Sequence, residues 1–388
     1  MGEADVLVVG ASVRALAESA ARAGARVAAV DAYGDLDLLA CAEAIALRRH
    51  RGVEYSAAAA AAVAAGVPAR AVAYASNFEN FPAALARAVA GRPLLGNPSA
   101  TLVRVRNPVL LARALARRGL AVPRVRASAP KDRDTGWLQK PRRSGGGHGV
   151  ARWRPSAPLP AGAYLQELID GTPGSITFAA DGRRAVPLGL SRQIVGDSAF
   201  GAAGFRYCGS ILAAAGGDLF EHQARLAEAA VVLAGAVTDA FGLVGVNGVD
   251  FIARGGVPYA IEVNPRHSAS MELVERAHGA SIFALHAAAC GGALSDPGLY
   301  LRNCGALAGK AIVFARDEVT MGQTRRWLRA DRRIRDVPHP GERIGAGQPI
   351  CTVFADGSDA AGCEAALRAR AAEIYAAAQS PGRARSVA

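Results

Sequence analysis

The chain has 388 residues, enough for two or three domains. It is 51% hydrophobic and 20% charged, the balance of a globular enzyme rather than of a disordered or fibrous protein. Lys plus Arg number 45 against 33 Asp plus Glu, a formal net charge of +12. The arginines are scattered without a basic block, which argues against a nucleic-acid partner and for steering of anionic small molecules. The 6 Cys form no CxxC pair and have no His at zinc spacing. With no signal peptide and no apolar run of about twenty residues, the sequence reads as a reduced, cytoplasmic protein with free thiols and no membrane span.

In chain order, "DVLVVGASVRALAESAARAGARVAAVD" reads as a strand at Val6–Val9, a helix at Arg14–Arg22 and a strand at Arg26–Val30 ending at Asp31. This opens a doubly wound α/β sheet. Ser12 and Ala15 stand where a dinucleotide site needs glycines, so NAD binding is not expected. The Ala-rich run 55–66 reads as helix filler, residues 71–76 as another strand, and the stretch from Pro93 to Pro98 closes this unit. Residues 107–125 predict a helix with Pro near its start and Gly119 at its end. "WLQKP" predicts a strand, as does 163–171. "SITFAADGRRAVPLGLSRQIV" reads strand–turn–strand, Asp218–Phe241 a long helix, 244–266 a hairpin and Leu273–Cys290 a helix. From about Ala306 short strands and turns follow, then a helix at 359–377 and a disordered tail.

Two stretches carry chemistry. The lysines are Lys131, Lys140 and Lys310; every other positive charge is Arg. Lys140 leads into Ser144-Gly145-Gly146-Gly147-His148-Gly149. A Gly/Ser loop between strands exposes N–H groups that can wrap phosphate oxygens, and a Lys entering it adds a compact charge. The Lys precedes the glycines, so this is not a Walker loop. In the hairpin, Asp250, Glu262 and Asn264 share parity. If the strands pair in even register about the "ARGG" turn, all three point to one face, a hard-oxygen set suited to Mg²⁺. Their apolar flanks argue for a cation rather than for an exposed acidic face. Arg266 follows directly and can hold a carboxylate or a transferring phosphate. Arg192 and Arg206, in "LSRQIVGDSAFGAAGFRYCGS", are candidates for clamping a substrate carboxylate.

These pieces, "LQKP–SGGGHGV", "YLQELIDG", "VDFI" and "IEVNPR" in this order, resemble the ATP-grasp superfamily. The C-terminal "AIVFA…W…PHPGERIGAGQPICTVFADG" is similar to the β-rich closing part of its biotin-carboxylase-type members. The resemblance implies an α/β ATP-grasp fold. A Rossmann-like pre-ATP-grasp domain would span 1–104 and the ATP-grasp lobes 105–300, with a small lobe over about 126–212. A C-terminal β-rich domain would span 301–378 and the tail 379–388. It implies ATP and Mg²⁺ as cofactors. Lys140 would touch the phosphates and residues 144–149 would form a loop over them. Gln166, Glu167 and Ile169 would read adenine at the hinge, Asp250, Glu262 and Asn264 would hold Mg²⁺, and Arg266 would steady an acyl phosphate.

The implied activity is ATP-dependent carboxylate–amine ligation on small molecules, and a homodimer is compatible with it. "KPRRSGGGHGV…LSRQ…FGAAGFRYCGS…EVNPR" also resembles carboligase-like members tied to one-carbon metabolism, which implies a ligase joining glutamate to tyramine or tyrosine for a methanofuran-type cofactor. A biotin-carboxylase-like carboxylation and a non-catalytic nucleotide-binding regulator are the alternatives. Two departures stand out. Asn107-Pro108 replaces a Lys that family members often carry near this helix start, and Thr172-Pro173-Gly174-Ser175 lacks the acid that holds ribose.

Overall fold

The computed structural model describes residues 2–129, 136–155, 158–213, 219–294, 307–330 and 333–379. Its first sheet is parallel, with β1 (Ala4–Val9), β2 (Val27–Asp31), β3 (Glu43–Ala46), β4 (Ala69–Tyr74) and β5 (Leu94–Leu95) in the order β3-β2-β1-β4-β5. Its central strands are apolar apart from Asp5 and Asp31, because helices cover both faces. The helix Arg14–Arg22 starts where the sequence predicts. The Asp31 carboxylate accepts the Val13 N–H at its head (3.0 Å).

A small antiparallel sheet follows, in the order β6-β9-β7-β8: β6 (Val125–Arg126), β7 (Trp137–Pro141), β8 (Ala151–Arg152) and β9 (Ala163–Glu167). The small lobe expected over about 126–212 is therefore shorter in its sheet. The next strands, β10 (Thr172–Asp181), β11 (Ala185–Val195) and β12 (Tyr207–Leu212), hydrogen-bond into a different, eight-stranded sheet. That sheet continues through β13 (Val244–Arg254), β14 (Val257–Asn264) and β15 (Leu307–Phe314). Beyond the short pair-forming β16 (Val319–Thr320) it takes in β17 (Ile334–Arg335) and, after β18 (Arg343–Ile344), β19 (Pro349–Gly357). The C-terminal strands thus extend the central sheet through β12–β15 pairing, and one apolar core runs from Phe178 and Phe251 to Cys351 and Ile374.

Several elements differ from the sequence reading. The helix expected over 107–125 is Pro108–Ala116, with Asn107 capping the N–H groups of Val109 and Leu110. The stretch Leu273–Cys290 is two helices, Met271–His278 and Ile282–Cys290. Gly279, at φ +70°, ends the first and the Ser281 hydroxyl caps the second. The long helix is Gln223–Phe241, and its expected start at Asp218 lies outside the described residues. The tail beyond Gln379 does too.

A buried charge cluster ties the parts together. Arg14, 1% exposed, bonds Glu272 of the helix Met271–His278 and the Asp336 carboxylate (Nε–Oδ1 2.9 Å), and Lys310 of β15 reaches Glu272 at 2.6 Å. Arg14 and Lys310 outweigh the effect of burial and hold the Glu272 carboxyl well below the usual carboxylate range. Removing one member of such a set strands its partners in a dry site. Arg14→Ala should therefore cost about 3–5 kcal/mol and lower the midpoint of chemical unfolding. A loss below about 1 kcal/mol would show that water enters the cluster freely.

Candidate active site

The site is built on the β13–β14 hairpin. Its turn is Gly255-Gly256, both at positive φ (+57° and +73°), a two-residue connection that pairs Arg254 with Val257 and Ile252 with Tyr259. Continued unchanged, that register would set Asp250 opposite Ile261 and turn Glu262 to the other face. A bulge between Phe251 and Asp250 inserts Ile261 as an extra residue. Beyond it Asp250 pairs with Glu262 and Gly248 with Asn264. The even register read from the sequence is thus present at the acids but absent at the turn, and the bulge is what places both carboxylates on one face.

The bulge does a second thing. The Ile261 carbonyl accepts Gln166 Nε2 (3.0 Å) from β9, and Gln166 Oε1 accepts the Lys140 ammonium (3.0 Å) from β7. Lys140 is 8% exposed, lies 6.0 Å from the Tyr164 ring centre, and has no ion-pair partner among the described residues. Both ends of the Gln166 amide are engaged, so Gln166 tethers the small sheet to the large one and holds Lys140, where the sequence reading gave it to adenine. Glu167 accepts the Arg124 N–H (2.9 Å). Glu167 and Ile169 line the same cleft as Lys140, next to the end of β9.

Around the acids the partners are specific. Asp250 accepts from Gln193 Nε2 (3.0 Å) and Asn264 Nδ2 (2.9 Å), and burial together with the facing Glu262 pushes its carboxyl up to about 6. Glu262 is half-buried; burial raises its carboxyl, but Arg106 and then Lys140 hold it below the usual carboxylate range. Arg106 is the residue the sequence reading missed. It reaches Glu262 (2.5 Å), Asn80 Oδ1 (2.9 Å) and the Ser144 carbonyl (2.9 Å), and its Nε is buried without a partner. It directly precedes Asn107-Pro108, so a cation stands two positions before the place where the expected Lys is absent. In an Arg-rich chain nothing in the sequence marked it.

Arg266 pairs with the buried Glu79 carboxylate (2.7 Å), though not in line for a hydrogen bond, and donates to Asn264 Oδ1 (3.3 Å). The loop Ser144–Gly149 lies over this face. The Tyr207 N–H donates to the Gly146 carbonyl (3.0 Å), while the N–H groups of Gly145, Gly146 and Gly147 have no protein partner among the described residues. Gly147, at φ +77°, sits so close to the Phe205 carbonyl that any Cβ would collide with it. All these groups line one cleft of about 1090 Å³ between the two sheets and the N-terminal domain.

Of the two substrate candidates the cleft includes one. Arg206 lines it, stacked 3.6 Å from the Phe314 ring centre and donating to the Gly347 carbonyl (2.6 Å). Arg192 lies on the opposite side of β11 from Gln193 and is bonded to Glu364 of the last helix. This corrects its assignment as a substrate clamp.

The donor set fits a small divalent cation. Two half-buried carboxylates face each other across a strand pair with an amide beside them, and burial, then the facing Glu262, raise the Asp250 carboxyl. Mg²⁺ takes one or two carboxylates and completes its shell with water and phosphate oxygens. Asp250→Asn and Glu262→Gln should each weaken Mn²⁺ binding in the presence of ADP by about tenfold or more, about 1.4 kcal/mol. Arg192→Ala should leave it within about twofold. Unchanged Mn²⁺ binding in both acid variants would remove the hairpin as the metal site.

Comparison with known proteins agrees with this geometry. Residues 105–270 match the ATP-grasp domain family. The whole fold is similar to that of an L-amino acid ligase from Bacillus licheniformis (18% identity, TM-score 0.68, 96% of this chain and 98% of that one). It is also similar to biotin carboxylase from Campylobacter jejuni (14%, 0.71, 94% and 90%). A third likeness is to N5-carboxyaminoimidazole ribonucleotide synthetase from Thermus thermophilus (16%, 0.67, 97% and 99%). A search of curated protein sequences finds no match. The chain carries an ATP-grasp domain over residues 105–270, within a fold similar over nearly its whole length to that of biotin carboxylase.

Proposed function

We propose that the protein is an ATP-dependent carboxylate–amine ligase that releases ADP and forms an amide through an acyl phosphate. The observation that carries this reading is the meeting, in one cleft, of Lys140, Arg106 and loop N–H groups unpaired among the described residues with the half-buried Asp250–Glu262 pair. Cations and amide donors on one side and a metal-type acid pair on the other are what a transferring phosphoryl group needs.

Lys140 and the N–H groups of Gly145–Gly147 would bind and orient the phosphates of ATP. Asp250, Glu262 and Asn264 would hold Mg²⁺, which supplies charge neutralisation at the phosphates when bound. Arg106 and Arg266 stand beside the acids, where they would hold the attacking carboxylate and steady the phosphoryl group that moves onto it. The loop 144–149, already in contact with Phe205 and Tyr207, would keep water from the acyl phosphate until the amine attacks its carbonyl carbon and phosphate leaves. The reaction calls for no nucleophilic side chain.

The finer reading joins glutamate to an amine such as tyramine in one-carbon cofactor biosynthesis. It is supported by the wording of residues 190–210 and by Arg206 in the cleft. Carboxylation of an acceptor with bicarbonate is the second reading, supported by the likeness to biotin carboxylase over 94% of this chain.

The test is ADP release from MgATP by the purified chain with carboxylates, amines and bicarbonate, singly and in pairs, with product masses recorded. ADP together with a condensed mass only when an acid and an amine are both present is the expected result. Turnover with bicarbonate and one acceptor would replace it with carboxylation. Lys140→Ala should lower kcat by about two to three orders of magnitude, the scale of losing a preorganised donor to a transition-state oxyanion, without moving the melting midpoint. Full activity in that variant would contradict the assignment.

A further inference from the structure

The end of the cleft against the N-terminal domain holds a carboxylate with no partner among the described residues. Where β2 ends, Asp31, Asp35 and Asp37 follow one another, and Asp336 comes in from the C-terminal part. Three of these four are engaged. Asp31 accepts the N–H groups of Val13, Tyr33 and Gly34. Asp37 accepts those of Asp336 (2.8 Å) and Val337 (3.0 Å). Asp336 pairs with Arg14 and with the Thr352 hydroxyl (2.5 Å). Asp35 is 8% exposed and lines the cleft, and its side chain makes no hydrogen bond or ion pair among the described residues. It does not cap the helix it precedes, and the Leu36 N–H goes to the Val337 carbonyl (2.9 Å).

A buried carboxylate in this state is costly unless a proton or a cation meets it. The two buried cations nearby are already committed. Arg14 is held by Glu272, Asp336 and Glu18, and Lys310 by Glu272 and the Ala269 carbonyl. Burial, and then Asp336, Asp31 and Asp37, push the Asp35 carboxyl well above the usual range. In the free protein a proton meets that need, and a cation entering from the cleft that Asp35 lines would take its place. A metal ion does not suit the place, since among the described residues no three acids, His or Cys converge to hold one. The neighbouring carboxylates all take N–H or O–H donors, so a ligand that brings its own N–H donors matches the chemistry. Tyr33 and Tyr55 line the same cleft, the latter with its hydroxyl on Asn77 Oδ1 (3.2 Å), and such walls suit an organic stem rather than a bare ion.

We propose that Asp35 is the counter-ion for the ammonium group of a co-substrate, a primary amine or an amino acid, bound at the N-terminal-domain end of the cleft. The inference deepens the ligase reading and rests on it: one continuous cleft runs from Lys140 to Asp35, so one end would serve the nucleotide and the other the amine-bearing partner.

The experiment uses the full chain with MgADP present and follows the thermal unfolding midpoint. The probes are pairs that differ only at the charged nitrogen: tyramine against 4-hydroxyphenethyl alcohol, L-glutamate against 2-hydroxyglutarate, ethanolamine against ethylene glycol. The expected result is that at least one amine raises the midpoint and its neutral twin does not. Asp35→Asn should weaken that amine by about tenfold or more, about 1.4 kcal/mol. The same variant should keep the shift given by MgADP, which shows that it is folded, and Asp35→Glu should restore part of the amine effect. The proposal is overturned if Asp35→Asn binds the amine as the parent does, if the neutral twins bind as well as the amines, or if no amine shifts the midpoint while MgADP does. Absence of a MgADP shift in the parent chain would count against the nucleotide reading itself, and the comparison of each amine with its twin would still decide Asp35.

Discussion

The extra residue at Ile261 is the constraint on which the site depends. A two-residue Gly-Gly turn sets one register, and the acids need the other. The bulge resolves the conflict within a single strand. It brings Asp250 and Glu262 face to face, and it gives a carbonyl to Gln166, which in turn holds Lys140. One backbone irregularity therefore positions both the acid pair and the phosphate-directed lysine, although these lie on different sheets. Bulges concentrate where a strand must re-aim side chains, and this one re-aims three.

Electrostatics then divides the cleft. Near the bulge three cations, Lys140, Arg106 and Arg266, stand among three carboxylates, Asp250, Glu262 and Glu79, and Arg106 and Arg266 each keep a buried Nε free. At the other end carboxylates predominate, with Asp35 unpaired among the described residues. A nucleotide with its metal would meet the first set and an ammonium-bearing partner the second. The overall charge of +12 gives no hint of this division, because most of the arginines are spread over the surface.

Much of this was legible in the sequence. The strand leading to Lys140, the glycine loop, the hairpin and the first β–α–β unit follow from local pattern, and they are where residue type and period agree. The motif order pointed to the ATP-grasp fold, which the structure and the matched domain bear out. What stayed hidden was long-range. Arg106 and Glu79 come from a different part of the chain than the acids they attend, and Asp35 is distinguished from Asp31 and Asp37 only by which backbone groups reach them. Arg192 was misplaced because its spacing could not say which face of β11 looks into the cleft. The break at Gly279 was missed because the apolar pattern runs on across it.

The account's central claim is that the cleft activates a carboxylate by moving the terminal phosphoryl group of ATP onto it. The most direct measurement is turnover of an acid labelled with ¹⁸O in its carboxylate, with mass analysis of the phosphate released. One labelled oxygen carried into each phosphate is the predicted result, because the acyl–oxygen bond breaks when the amine attacks. Phosphate released without label during amide formation would contradict the claim and require a different route of activation.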